Sequence, residues 1–345
     1  MKTTGYATPA GRCEIHVNAP AAGFGSLAAG RKTAVVTDTT IRRLYPRLLA
    51  GRDVVALPPG ERGKTLATVE ALCAKFLKLG LDRSSFVVGI GGGVVCDIAG
   101  LAASVFMRGV PFGFVPTTLL AQADAAIGGK NGVNLDRYKN VVGLFNQPRF
   151  VLVDLDFLKT LPAREFRCGA AEIIKHASIA SPSLFETLEK LPGEWASLKR
   201  RDLEAVVLRS IEIKAGIIEA DEKEAGERRK LNFGHTLGHA LERVGRFRHG
   251  EAVSVGMAMA AAISEARGLV SGQEVGRLKR LLGRAGLPVR PPSDPGPIVE
   301  AMRKDKKRRG RDVHFVLLSG LGRAEVREIP FRDLEEHVRD LCQHR

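Results

Sequence analysis

The first half of the chain alternates short β-branched apolar runs with stretches of helical spacing. TAVVTD (33–38) reads as a strand, IRRLYPRLLA (41–50) as a helix and RDVVALP (52–58) as a strand again. TLATVEALCAKFLKLG (65–80) has helical spacing and ends on Gly80, a residue suited to a helix stop. SFVVGI (85–90) is too apolar to alternate, which predicts a strand covered on both faces. GFVPTT (113–118) and FVLVDLD (150–156) read as further strands. This alternation predicts a parallel, doubly wound, Rossmann-like sheet.

After LKTLPAREF (158–166) the period changes. Helical stretches follow at 168–180, 183–191, 201–220, 231–244, 251–267, 272–285 and 296–305. One β-like return, 313–329, carries turn glycines at Gly320 and Gly322. The expected layout is therefore an α/β domain over 1–162 and a mostly α-helical domain over 163–345. The longest nearly apolar run, AVSVGMAMAAAI (252–263), is too short to cross a bilayer and predicts a buried helix. The N-terminus lacks the apolar core of a signal peptide, and the five cysteines are scattered without a CxxC pair. Both point to a reducing cytoplasm, with no membrane partner.

The net charge of +15 permits nucleic-acid binding or an acidic small substrate. Its sharpest run is RKDKKRRGR (303–311). Aromatic residues are only 6% and do not interleave with the basic ones, so no stacking platform is built and nucleic acid is not the expected partner.

Histidine is scarce, eight in 345 residues, yet His235, His239 and His249 fall in one stretch, LNFGHTLGHALERVGRFRHGEAV (231–253). Positions i and i+4 share a helix face, so His235 and His239 project side by side. Imidazole binds zinc and moves protons near neutral pH, so metal binding, acid–base chemistry and two incidental helix histidines are all open readings. Arg228 and Asn232 lie just upstream, and Lys214 precedes the acidic cluster 220–224. Such a set beside a metal suits a polyhydroxylated anion.

Three further stretches carry chemistry. GIGGGVVCDIAG (89–100) follows a buried strand and opens a helix, where glycines let a pyrophosphate approach backbone N–H groups. It is not a clean GxGxxG, and a tight strand-to-helix turn is the competing reading; Asp97 suits either the helix dipole or a bond to a ribose or nicotinamide group. PTTLLAQADAAIGGKNGVNLDRYKN (116–140) sets Lys130 beside two glycines, with Lys139 nine residues on, either as phosphate-binding charges or as solvated loop lysines. In GAAEIIKHA (169–177), Glu172, Lys175 and His176 share a face of an apolar helix, either as a local ion pair or as a metal ligand beside a substrate-binding cation.

The ordered set PPGERGK (58–64), GGGVVCD (91–97), PTT (116–118), DAAIGGKNGVN (124–134), KN (139–140), LKTLP (158–162), AEIIKH (171–176), LNFGHTLGHA (231–240), HGEAV (249–253) and DKK (305–307) resembles the 3-dehydroquinate synthase family of the sugar phosphate cyclases. The resemblance runs over nearly the whole chain. It implies a nucleotide-binding domain, a helical domain, a site between them, a tightly bound NAD and one divalent metal, zinc or alternatively cobalt. It implies metal ligation by Glu172, His235 and His249. Cofactor contacts are implied for Glu61, Lys64, Gly92, Gly93, Val94, Val95, Asp97, Thr117, Thr118, Lys130, Lys139, Phe157 and Thr160. Substrate contacts are implied for Asp124, Lys130, Asn140, Lys214, Arg108 and one of Lys306 or Lys307. His239, Lys175, Arg228 and Asn232 take the catalytic positions, His239 as a proton carrier. Arg108 matches an arginine that reaches into a partner subunit's site, which implies a homodimer.

The activity so implied is conversion of 3-deoxy-D-arabino-heptulosonate 7-phosphate to 3-dehydroquinate and phosphate, a carbon–oxygen lyase reaction of aromatic amino acid biosynthesis. It proceeds by transient oxidation, β-elimination of phosphate, re-reduction and an intramolecular aldol closure. Asn131, Thr40, Ala125, Ala126 and His176 depart from common choices of the family. They leave room for a sister cyclase on another sugar phosphate. A metal-dependent NAD polyol dehydrogenase of the glycerol dehydrogenase type is the alternative of a different class, and it has no use for the lysine-rich phosphate pocket.

Overall fold

The computed structural model describes residues 1–136, 138–193, 195–245, 247–306 and 312–343. The chain forms two compact units, Met1–Pro162 with Lys214–Glu222, and Ala163–Ile213 with Lys223–Arg345. The sequence pattern put 214–222 with the helical domain, and the structure groups it with the first unit instead.

The first unit contains β1 (Lys2–Thr8), β2 (Gly11–Val17), α1 (Phe24–Leu27), β3 (Thr33–Asp38), α2 (Thr39–Leu44), α3 (Pro46–Leu49), β4 (Asp53–Leu57), α4 (Leu66–Lys78), β5 (Phe86–Gly91), α5 (Gly93–Val105), β6 (Phe112–Pro116), β7 (Lys130–Leu135), β8 (Tyr138–Phe145) and β9 (Phe150–Val153). Seven strands form one sheet in the order β1-β2-β9-β6-β5-β3-β4. All its pairings are parallel except β1 with β2. The central β5 is buried at every position, as its unbroken apolar run requires. Phe24, Val35, Val88, Ile90, Val115 and Phe150 fill a core cluster of this unit.

Two features differ from the sequence pattern for clear local reasons. The helix expected over 41–50 is split, because Pro46 has no N–H to continue it and opens α3 instead. The Asp38 carboxylate caps α2, accepting from the N–H groups of Thr40 and Ile41 at 2.8 and 3.0 Å. Lys130–Leu135, expected within a glycine–lysine turn, pairs with β8 as an antiparallel hairpin. β1 had no signal beyond weak alternation, since only Tyr6 is buried along it, whereas in β2 Cys13, Ile15 and Val17 are buried and alternate with Glu14 and His16.

The second unit contains α6 (Ala163–Ala180), α7 (Pro182–Lys190), the first turns of α8 (Arg200–Ala220), α9 (His235–Arg243), α10 (His249–Ala266), α11 (Gly272–Arg284), α12 (Gly296–Lys306), the antiparallel hairpin β10 (Asp312–Leu318) with β11 (Ala324–Pro330), and α13 (Phe331–Gln343). α10 is buried along nearly its whole length, with α6, α9 and α11 packed on it. Among the described residues no helix is long and apolar enough to cross a membrane.

Candidate active site

In the second unit three helices bring together donors far apart in sequence. Glu172 sits mid-α6, fully buried, one turn before the buried Lys175 with which it forms an ion pair. His235 is the first residue of α9 and His249 the first of α10. Glycines allow the close approach. A Cβ on Gly250 would lie 2.3 Å from the Cys168 Cα on α6, and one on Gly256 would lie 2.0 Å from the Gly234 carbonyl oxygen. Gly234 caps α9 in the left-handed region, φ 78°, which favours glycine. This packing sets His249 Nε2 3.3 Å and His235 Nε2 3.7 Å from the Glu172 carboxylate.

Each imidazole is oriented through its other nitrogen. His235 Nδ1 lies 3.2 Å from the Phe233 carbonyl oxygen, to which it donates, leaving Nε2 with a lone pair. His249 Nδ1 lies 3.2 Å from Glu242 Oε1. Such outer partners are how metal-ligating histidines are fixed. Burial and the nearby Lys175 ammonium push His235 down to about 3, so it is neutral and able to ligate. Burial also works against charging His249, but hydrogen bonds to Glu172 and Glu242 outweigh it and raise the group to about 10. One carboxylate and two imidazoles, their ligand atoms within 4.8 Å of one another, fit a divalent ion of zinc type, which would displace the His249 proton, and leave positions open. His239 lies outside this set. It is exposed on α9, its ring 5.5 Å from that of His235.

Arg228 is buried and Asn232 ends the same short 3-10 turn, its amide donating to the Glu224 carboxylate. His176, grouped by sequence with Glu172 and Lys175, has its Nδ1 2.8 Å from the hydroxyl of Ser210 on α8. Lys306 ends α12, whereas Lys307 and most of the basic run lie outside the described residues.

The first unit holds a different kind of site. Gly92 caps α5 with no side-chain hydrogen bond, so its first turn presents backbone N–H groups. Added Cβ atoms would meet Val95 at 2.6 Å from Gly91, Thr118 at 3.2 Å from Gly92 and Ala125 at 3.1 Å from Gly93. The Thr117 N–H donates to the Gly91 carbonyl at 2.9 Å, closing the far wall. Close packing that favours glycine, at a helix N-terminus without a side-chain cap, fits a dinucleotide pyrophosphate. Beside it Lys64, almost fully buried, reaches both Asp97 and Asn140 at 2.5 Å. Burial raises the Asp97 carboxyl to about 6 although Lys64 pulls it down. Asn134 joins this group, donating to Glu61 and accepting from the Asn140 N–H, both at 2.9 Å.

Lys214 on α8 pairs with the Asp124 carboxylate and donates to the Asp124 carbonyl at 2.7 Å. Lys130, Lys139 and Arg108 are exposed. Val94 and Val95 lie in the first turn of α5. The Phe157 ring belongs to the core, edge-on to Tyr45, whose hydroxyl is 2.6 Å from that of Thr160. Sequence reasoning missed Asn134 and Glu242. Glu242 had a signal, since it lies two turns after His235 on the same face of α9.

Residues 54–168 match the 3-dehydroquinate synthase N-terminal family and residues 169–308 the 3-dehydroquinate synthase C-terminal family. A curated 3-dehydroquinate synthase of Pelobacter propionicus is 44% identical over 303 residues, 84% of each chain. Among solved structures, 2-deoxy-scyllo-inosose synthase complexed with carbaglucose-6-phosphate, NAD+ and Co2+ superposes with a TM-score of 0.87 at 25% identity, covering 98% of this chain and 99% of that one. The 2-epi-5-epi-valiolone synthase of Streptomyces hygroscopicus subsp. jinggangensis, with NAD+ and Zn2+ bound, gives 0.86 at 30% identity, covering 100% and 99%.

Proposed function

Because the chain belongs to the 3-dehydroquinate synthase family, we propose that it converts 3-deoxy-D-arabino-heptulosonate 7-phosphate to 3-dehydroquinate and inorganic phosphate, a step of aromatic amino acid biosynthesis. The observation that carries the reading is the buried Glu172–His235–His249 donor set with Lys175 at its edge. Relatives named for this activity stand at 44% identity, against 25% and 30% for the two sister cyclases, which favours the heptulosonate phosphate over their substrates.

When bound, NAD provides reversible hydride acceptance and the divalent ion a Lewis acid for the substrate's oxygens. Glu172, His235 and His249 hold the ion. Gly92 and Gly93, with Val94 and Val95, offer the α5 N-terminus to the pyrophosphate. Asp97, Glu61 and Lys64 take polar groups of the dinucleotide, and Thr117, Thr118 and Thr160 complete its walls. Lys130, Lys139, Asn140 and Arg108 receive the phosphate as charges and donors that need little reorganisation. Asp124, Lys214, Lys175, Arg228, Asn232 and Lys306 or Lys307 hold the hydroxyls and the carboxylate. His239, exposed and thus able to exchange with solvent, is the proton carrier. Once the neighbouring alcohol is a ketone, the adjacent C–H is acidic, and the departing phosphate is itself a base for that proton.

The same resemblance supports a cytoplasmic homodimer in which Arg108 serves the partner's site. Arg108 is exposed and left-handed, φ 67°, a strained backbone that a function would explain. The test is a phosphate-release assay on the heptulosonate phosphate with NADH absorbance followed in parallel. Stoichiometric phosphate without net NADH is expected. NADH accumulating with a simple polyol, and no phosphate release, would replace this reading by a dehydrogenase.

A further inference from the structure

Within the first unit, the turn that delivers Lys130 is held from behind by groups with no assigned role. Gly128 and Gly129 adopt φ of 102° and 67°, conformations that side chains resist. The Gly128 N–H donates to the Tyr6 hydroxyl at 2.8 Å. That hydroxyl donates to Gln147 Oε1 at 2.8 Å, and Gln147 Nε2 donates to Glu222 Oε1 at 2.8 Å. The Gln147 amide also lies flat under the turn, since a Cβ on Gly129 would come within 2.6 Å of it. Asn131, one residue past Lys130, donates from its amide to the carbonyls of Gly129 and Asn146 at 3.0 and 2.9 Å.

Glu222 is buried just beyond the end of α8 and also accepts from the Thr8 hydroxyl at 2.5 Å and the Ala10 N–H at 3.3 Å. Eight residues earlier the same helix presents Lys214 to Asp124. One helix end therefore grips the 124–130 segment twice, at Asp124 and, through Gln147 and Tyr6, at Gly128. A buried, fully bonded chain of this kind fixes a loop more firmly than its separate bonds would. Tyr6 lies outside the family match, which begins at residue 54.

We propose that Tyr6, Gln147 and Glu222 are positioning residues for phosphate. Their hydrogen-bonded chain holds the Gly128–Gly129 turn in the one conformation that presents Lys130 to a phosphoryl group. The proposal rests on the reading of Lys130 as a phosphate ligand. It differs from an ordinary core network in where the loss is felt. A loosened turn presents phosphate with a mobile lysine, so affinity for phosphate falls more than affinity for a dinucleotide held by the main chain of 91–93.

The experiment measures kcat and KM for the heptulosonate phosphate, the dissociation constant of inorganic phosphate by calorimetry, NAD affinity and Tm. Tyr6→Phe removes the acceptor of the Gly128 N–H. It should raise KM and the phosphate dissociation constant about tenfold, with kcat and NAD affinity each changed less than about threefold. Gln147→Glu alone opposes two carboxylates and should do the same. Combining it with Glu222→Gln reverses the pair and should restore both constants, and this pair decides the matter if Tyr6→Phe does not fold. Lower Tm with wild-type KM and phosphate affinity overturns the proposal, as does absence of phosphate binding to the wild-type protein. If the wild-type protein turns over no heptulosonate phosphate, yet these variants still weaken phosphate binding, the proposed reaction falls and the positioning device stands.

Discussion

The glycine cradle of the first unit and the histidine–carboxylate set of the second solve opposite problems. The cradle offers main-chain N–H groups from one contiguous segment, 91–93, and works by the absence of side chains. The donor set offers three side chains from α6, α9 and α10, and works only if those helices meet closely. Glycine serves both, but differently. At Gly91 an added methyl would lie 2.6 Å from the Cβ and a methyl of Val95 in the turn that follows it; at Gly250 it would enter the backbone of Cys168 on another helix. The first clash displaces one local turn, whereas the second is relieved only by separating two packed helices.

The largest effect should therefore come from Gly250→Ala. Separating α10 from α6 removes His249 from Glu172, so divalent-ion affinity should fall more than about 100-fold, with about 3 kcal/mol of stability lost. Gly91→Ala should cost less stability and should weaken NAD while leaving metal affinity intact. Metal and NAD titrations on both variants, with thermal denaturation, check the pair. Equal losses of both ligands in both variants would erase the distinction between the two regions.

Next come the histidines. His235→Ala should abolish metal retention, measured by elemental analysis of the purified protein. His239→Ala should keep the metal and lose most turnover, because its ring stands outside the donor set. Equal metal loss in both variants would return His239 to the ligand sphere. Glu242→Gln should act more gently, about 10- to 100-fold in metal affinity, since it orients His249 without being a ligand.

The same contrast decides what was legible in the sequence. The cradle is local, so strand 85–90, its glycines and Asp97 announced it within a dozen residues, leaving only the choice between a turn and a nucleotide site. The donor set is not local. Spacing alone pairs His235 with His239, because i and i+4 share a helix face. Only the family resemblance, or the packing of Gly250 on Cys168, brings Glu172 and His249 to His235 instead. The parallel sheet was readable because buried strands are continuously apolar. β1, with Tyr6 its single buried position, and α13 offered less, although Cys13, Ile15 and Val17 alternate along β2. The break at Pro46 follows from proline's missing donor, which outweighs the helical period of the residues around it. Tyr6, Gln147 and Glu222 carry no motif at all; three elements must fold before their side chains touch.

The smallest predicted effect concerns charge in the cradle. The Asp97 carboxyl is raised from 3.8 to about 6 in the folded chain, chiefly by burial. A raised acid binds its proton more tightly when folded, so its favourable contribution is complete below about pH 4 and is lost as pH rises through 6. Asp97→Asn cannot titrate. The difference in Tm, variant minus wild type, should thus grow between pH 4.5 and pH 8 by about 2 to 4 °C. NAD should respond in the opposite sense. If the ionised carboxylate accepts a hydrogen bond from the dinucleotide, wild-type affinity weakens below pH 6, while the variant binds weakly at every pH. A wild-type NAD affinity that is flat from pH 5 to pH 8 would remove Asp97 from the cofactor site, leaving its contact with Lys64 as a structural pair and the cradle as main chain alone.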